Sequence, residues 1–304
     1  MNLAPNGKPS NLTPEQYRLV RTSAFKNWFG DWENSPETAS KVIDENGEPL
    51  VVYRGMSENV SNNYKFDFKT QLMTSHKRFN KFGFYFTDNL ATANGYAKAF
   101  AENQSFEQAK ELYKTEGKQT SYDEIKEKSK NYEVVISYFL NLKNFLNLTP
   151  SNPKFPKYKE GQLINFSTDY EFKDTAISLV ELLDLLDLKQ DYIDYISVVR
   201  NINLNDDWAN LKTDVFTYFT EFKGGKSYGL KSLAQYLKEK ILKKYDGVVF
   251  FESMYSPSNI YVAFSSNQVK LADGTNTNFD AKNPDIPYAD GGNINDFKYT
   301  IGGL

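Results

Sequence analysis

The stretches of this chain with strand character are short, and each is separated from the next by a turn or a helix. Val42-Ile43 leads into Glu45-Asn46-Gly47, where Asn-Gly supplies the positive φ angles of a tight turn. Leu50-Val51-Val52-Tyr53 then returns and ends at Arg54-Gly55, so Ser40 to Gly55 reads as a β-hairpin. Phe82 to Thr87 reads as a second strand, followed by Asp88-Asn89 and a helix over Leu90 to Ala101. Tyr132 to Leu140, Val248 to Phe251 and Ile260 to Phe264 complete the strand set. Short strands interleaved with helices predict a mixed α+β domain rather than a doubly wound parallel sheet. No G-x-G-x-x-G follows a strand and no G-x-x-x-x-G-K-S/T occurs, which removes the Rossmann and P-loop phosphate cradles.

The remaining organisation follows from caps and spacing. The first ten residues read as a flexible leader. Thr13-Pro14-Glu15-Gln16 reads as a helix start, with Thr13 as N-cap, Pro14 at the first helical position and Gln16 three residues on. A short helix around Thr22 to Trp32 spaces Phe25, Trp28, Phe29 and Trp32 along one face, as core or lid packing. Residues 104 to 130 are polar and charged and read as a mostly exposed helical excursion. Pro150, Pro153 and Pro156 mark a break. The helical segments that follow make 149–225 a helical insertion, in which Glu181, Asp184 and Asp187 form a solvated or partner-facing acidic side. Gly229 to Lys244 reads as a last amphipathic helix, and the tail from Asp273 as irregular. We find no internal repeat in the sequence. The division is therefore a leader and helix start over 1–21, a main domain over 22–290, and a tail over 291–304.

The chemistry open to this chain is narrow. It has no cysteine and a single histidine, His76, which excludes thiolate metal sites, a Cys nucleophile and relays built on several histidines. A metal-free mechanism is expected. A net charge of −3 gives no general attraction to phosphate backbones. No stretch approaches the ~20 apolar residues of a membrane helix, and the N-terminus has no signal-peptide core. Carboxylates, tyrosines, arginines and backbone amides remain.

Three segments occur in a telling order: Arg54-Gly55 at a strand end; Gly83-Phe84-Tyr85-Phe86-Thr87-Asp88 with Ala93-Asn94-Gly95-Tyr96 beyond it; and Ile260-Tyr261-Val262-Ala263-Phe264 before Gln268-Val269. This order resembles the ADP-ribosyltransferases of the diphtheria-toxin and poly(ADP-ribose) polymerase branch. There a His-Gly precedes a GIYFAD strand, a SANY helix start and an EYIVY strand. The resemblance is closer to the ADP-ribosyltransferase-like domains in polyvalent proteins of bacteriophages and mobile elements. Those open with a hairpin similar to Val42-Ile43-Asp44-Glu45-Asn46-Gly47-Glu48-Pro49-Leu50-Val51-Val52-Tyr53-Arg54-Gly55 and close with a tail similar to Phe279-Asp280-Ala281-Lys282-Asn283-Pro284-Asp285-Ile286-Pro287-Tyr288-Ala289. It covers residues from about 22 to 290.

The resemblance implies split antiparallel β-sheets flanked by helices, and NAD as substrate. Gly55 would hold the nicotinamide amide through its backbone, Tyr85 and Tyr96 would flank the ring, and Arg54 would reach a ribose hydroxyl or the pyrophosphate. Read without the resemblance, Tyr85 and Tyr96 fit ordinary core aromatics, Gly55 a turn, and His76 an exposed loop bordering the site.

This chain departs from the family pattern at three places. Arg54 replaces the family His. Thr92 or Ala93 stands where a Ser binds the nicotinamide amide. Ile260 occupies the position of the catalytic Glu, which a carboxylate at Glu252 or Glu58 would have to replace. Loss of that Glu disfavours chain-forming synthesis. The expected activity is mono-ADP-ribosyl transfer to a host protein or nucleic acid by a phage-encoded enzyme, in the host bacterial cytoplasm or carried in the virion beside other virion proteins. The alternatives are a catalytically degenerate structural or interaction module and an NAD glycohydrolase.

Overall fold

The computed structural model describes residues 2–58, 83–149, 241, 243–252, 255–274 and 279–280. The helical insertion beyond Thr149, the loop with His76, most of the helix read over Gly229 to Lys244, and the tail beyond Asp280 lie outside the described residues. Four helices are described: α1 (Pro14–Leu19), α2 (Ser23–Phe29), α3 (Leu90–Glu116) and α4 (Tyr122–Ser129). The strands are β1 (Val52–Ser57), β2 (Phe84–Thr87), β3 (Glu133–Leu140), β4 (Phe145–Leu148), β5 (Gly247–Glu252), β6 (Ser258–Ala263) and β7 (Val269–Leu271).

The expected α+β class is correct. The strands form one mixed seven-stranded sheet in the order β4-β5-β6-β2-β1-β3-β7. Every pairing is antiparallel except β4 with β5, a parallel neighbour that the sequence reading did not contain. The sheet has a weak seam. β1 pairs with β3 at six positions, from Val52↔Tyr138 to Ser57↔Glu133, but with β2 only at Tyr53↔Thr87. The four-stranded half β4-β5-β6-β2 and the three-stranded half β1-β3-β7 thus join through one residue pair.

Alternation along the strands sets the two faces. Val52 and Met56 of β1 enter the main core with Phe84, Phe86, Ile136, Tyr138, Val249 and Tyr261. On the opposite face Tyr53 packs with Ala93, Ala97 and Val135 beneath α3. The side chain of Asn89 caps α3 at the N–H groups of Ala91 and Thr92. Gly117, in the left-handed conformation, ends it. The helix therefore runs well past Ala101, the end that the sequence predicts, and takes in part of the polar excursion. Ala97, Ala101 and Ser105 are its buried stripe, too small and too polar to register as an apolar period. β1 likewise runs past Arg54-Gly55 to Ser57, because β3 continues to pair with it.

α2 stops at Phe29, short of the expected Trp32, and its aromatics form a second core with Trp32 from the turn beyond. Phe25, Trp28, Phe29 and Trp32 are buried with Phe139 and Phe279, Phe25 meeting the rings of Phe29 and Phe139 at centroid distances of 5.1 Å each. Each such side chain stabilises the fold by roughly 1.5–3 kcal/mol. Thr13 and Gln16 form the expected capping box on α1.

The first ten residues are held against the domain. Asn6 Nδ2 donates to Asn46 Oδ1 at 2.9 Å, Ser10 Oγ donates to Glu48 Oε2 at 2.5 Å, and Ala4 is buried. Here the sequence does contain a short repeat: Asn6-Gly7-Lys8-Pro9 and Asn46-Gly47-Glu48-Pro49. Each makes a turn with its glycine at positive φ (79° and 81°) and a bridge onto its proline, Leu3↔Pro9 and Ile43↔Pro49. The two turns dock on one another through the Asn6–Asn46 bond. Ser40 to Gly55 is accordingly a tight turn with one bridge running into β1 rather than a laddered hairpin. Glu48 is fully buried and accepts from Arg21 Nη2 at 2.9 Å. Arg21 lies over the Tyr17 ring at 3.4 Å and pairs with Glu33 through Nε at 3.2 Å.

Candidate active site at the sheet seam

The site residues gather where β1 and β2 part. Continuing the antiparallel count from Tyr53↔Thr87 would set Gly55 opposite Tyr85, but pairing does not extend that far. α3 crosses the same place. A Cβ on Gly55 would lie 1.8 Å from the Ala93 carbonyl oxygen and 2.6 Å from Ala97 N, so the helix backbone sits directly on the strand. Only glycine allows that approach. It lets the start of α3 project Tyr96 towards β5.

Tyr96 Oη donates to both carboxylate oxygens of Glu252, at 2.7 and 2.9 Å. Glu252 closes β5 and is 8% exposed. Burial holds its carboxyl above the ordinary range, partly offset by the Tyr96 hydrogen bond. Burial, then the charge of Glu252 and its hydrogen bond, push the Tyr96 phenol far up. The pair is therefore a neutral phenol donating to a carboxylate. Tyr85 is raised by burial alone, stands edge-on to Phe250 at 6.5 Å and is close enough to Tyr96 to perturb it. Tyr255 meets the Tyr96 ring edge-to-face at 5.0 Å. Its own ring fills the space a Cβ on Gly95 would need, 2.3 Å from Tyr255 Cγ.

Ile260, at the family Glu position, is buried, paired with Thr87 on one side and Phe250 on the other. Glu252 is two residues beyond Phe250, hence on the same sheet face and diagonal to Ile260, a separation of about 7–8 Å across a sheet. Arg54 lies on the opposite face of β1 from Tyr53, with its guanidinium 5.8 Å from the Phe86 ring. Burial lowers its pKa. Glu58 follows directly after β1. The structure thus brings Gly55, Tyr85, Ala93, Tyr96 and Glu252 to the α3 face of the sheet and sets Arg54 on the other face.

Sequence reasoning named Thr92 only as a candidate for the nicotinamide amide and did not anticipate that Asp88, Asn89 and Thr92 fix the β5–β6 connection. Asn89 Nδ2 donates to Ser256 Oγ at 3.2 Å and to the Pro257 carbonyl at 3.3 Å. Thr92 Oγ1 donates to the Ser256 carbonyl at 3.1 Å. Asp88 accepts from Asn259 N and Nδ2 at 3.0 and 2.8 Å, and burial raises its carboxyl pKa despite these bonds. Tyr255 was missed as well. Only the Ser256-Pro257-Ser258 turn signal hinted at an ordered loop.

A carboxylate bonded to a tyrosine, beside further aromatics at a parted strand pair, suits chemistry that develops positive charge on a sugar while a flat ring leaves. A protein-family model described as ADP-ribosyltransferase in polyvalent proteins matches residues 44–279. The chain belongs to this family. No curated protein and no solved structure matches it. ADP-ribosyltransferases take NAD as substrate. The match begins within the second Asn-Gly turn, so α1, α2 and the first turn lie ahead of it. Among the described residues, no group of three or more His, Asp or Glu is placed to hold a metal ion, and no helix is long and apolar enough to cross a membrane.

Proposed function

We propose that this chain is a phage-encoded mono-ADP-ribosyltransferase that moves one ADP-ribose from NAD to a host protein or nucleic acid, in the host bacterial cytoplasm or delivered with the virion. The observation that carries the reading is the buried Glu252 carboxylate hydrogen-bonded to Tyr96 on the α3 face of the sheet, diagonal to the position where Ile260 stands for the family Glu. In the reaction the bond between nicotinamide and ribose C1′ breaks, and the electron pair leaves with neutral nicotinamide. The acceptor heteroatom bonds C1′, and the acceptor proton passes to Glu252. The ionised carboxylate offsets charge developing on the ribose. Its raised pKa makes it a better base than a solvated carboxylate. Tyr96 holds the carboxylate in place, and Tyr85 and Tyr96 supply aromatic surface for the nicotinamide. Gly55 offers backbone at the parted strand edge, and Arg54 serves the phosphate end from the far face of β1.

The buried Ile260 favours a second reading, a module that has lost catalysis and acts as a structural or interaction domain. Incubating the purified protein with host lysate and tagged NAD, beside Glu252→Gln, separates the two. Labelling by the wild type that is lost in the variant is expected. No labelling and no nicotinamide release by folded wild type overturns the enzyme reading. Nicotinamide release without any labelled acceptor makes water the acceptor, and the protein a glycohydrolase.

A further inference from the structure

We propose that Thr92 is a positioning residue for Glu252, acting through the β5–β6 connection rather than on substrate. The proposal rests on Glu252 being the working carboxylate. Thr92 is fully buried in the first turn of α3, and it is the one hydroxyl among Leu90, Ala91, Thr92 and Ala93. Its Oγ1 lies 3.1 Å from the Ser256 carbonyl and 3.1 Å from Ser258 Oγ, while Ser258 Oγ donates to the same carbonyl at 3.0 Å. Two hydroxyls and one carbonyl close a triangle, and Ser258 is the cross-strand partner of Glu252.

The triangle therefore pins the strand residue opposite Glu252 to the turn of helix that also carries Tyr96 four residues on. Tyr96 holds Glu252 from the helix side, and Thr92 holds the connection that leads away from it. Glu252 is thus located from both ends by a single element. A hydroxyl committed inside this triangle is withdrawn from the cleft. The neighbouring Ala93 has none, and its backbone is pressed against Gly55. The role that the sequence resemblance gives to a serine at this turn, binding the nicotinamide amide, is therefore not filled by Thr92.

The test compares Thr92→Val, which keeps shape and removes the hydroxyl, with Thr92→Ser, which restores it. A misplacement of about 1 Å at a reacting group costs on the order of 100-fold in rate. Thr92→Val is therefore expected to lower kcat by about that factor with KM for NAD within about twofold, and Thr92→Ser to recover kcat. A rise in KM at unchanged kcat would place the hydroxyl on substrate and overturn the proposal.

A second readout is independent of turnover: titration of the Glu252 carboxyl followed by its 13C shift. In Thr92→Val the released connection admits water, and the raised carboxyl falls back towards its ordinary value. In Thr92→Ser it does not. An unchanged Glu252 titration in Thr92→Val overturns the proposal even in a protein that never turns over NAD, whereas an inactive wild type with the expected shift removes only the enzymatic reading. Should Thr92→Val fail to fold, Ser258→Ala breaks the same triangle from the strand side and is held to the same outcomes.

Discussion

Replacing Tyr96 by Phe removes one hydroxyl and leaves the ring between Phe100 and Tyr255, so the change isolates the bond to Glu252. Once the carboxyl is ionised that bond joins a donor to a charged group, and its loss costs roughly 1.5–3 kcal/mol. At pH below the ordinary glutamate range, Glu252 is protonated because burial raises it, and only a neutral hydrogen bond of about 0.5–1.5 kcal/mol is lost. A group whose folded pKa is raised contributes stability that is fully present below its unfolded value and is lost as pH rises through the folded one. The Tyr96 hydroxyl opposes that raise, so removing it lifts the carboxyl further and deepens the loss. The cost of Tyr96→Phe should grow by about 1–1.5 kcal/mol from the acid to the neutral condition, equivalent to about one pKa unit. Urea denaturation of both proteins at the two pH values measures the difference, and other carboxylates cancel between wild type and variant. An equal cost at both pH values, or a Glu252 that titrates lower in the variant, would refute the arrangement described for the pair.

Three further outcomes follow from packing and charge. Gly55→Ala drives a methyl into the Ala93 carbonyl, and α3 must lift. The expected loss is at least the roughly 1–3 kcal/mol of an overpacked core, together with NAD turnover, seen by denaturation and nicotinamide release. Glu48→Ala leaves Arg21 paired with Glu33 but opens a buried void and unlatches Ser10. About 1.5–3 kcal/mol is expected for the lost charge-assisted hydrogen bond, with early proteolysis ahead of α1, and an N-terminus as protected as wild type would contradict the latch. Ile260→Ala, between Thr87 and Phe250, should cost about 2–5 kcal/mol and Ile260→Val about 0.5–1.5, read from denaturation midpoints.

Much of the scaffold was legible because its signals are local. The capping box at Thr13 and the Asn-Gly turn each state their conformation within four residues. The buried aromatics of α2 fall at helical spacing. Element limits were less legible. β1 continues through Arg54-Gly55 because β3 pairs with it, and α3 continues past Ala101 on a stripe of alanines and a serine with little hydrophobic contrast. β4 is four residues beside a parallel partner about 100 positions away, and nothing local marks such a pairing. The repeated Asn-Gly-x-Pro turns are too short to stand out as a repeat in the sequence, and only their contact in the fold marks them as a pair.

For the site, the sequence by itself determined the inventory: no thiol, a lone histidine, tyrosines and glycines in the order of an ADP-ribosyltransferase, and an isoleucine at the family Glu position. Residue types and spacings along the chain carry that much, since they limit which groups can do chemistry. Which carboxylate meets Tyr96 was decided only in three dimensions. Tyr96 and Glu252 are separated by 156 positions, and their meeting depends on a helix backbone resting on Gly55 and on a hydroxyl triangle at Thr92. Contacts of that kind come from the docking of whole elements, whose geometry no local pattern encodes.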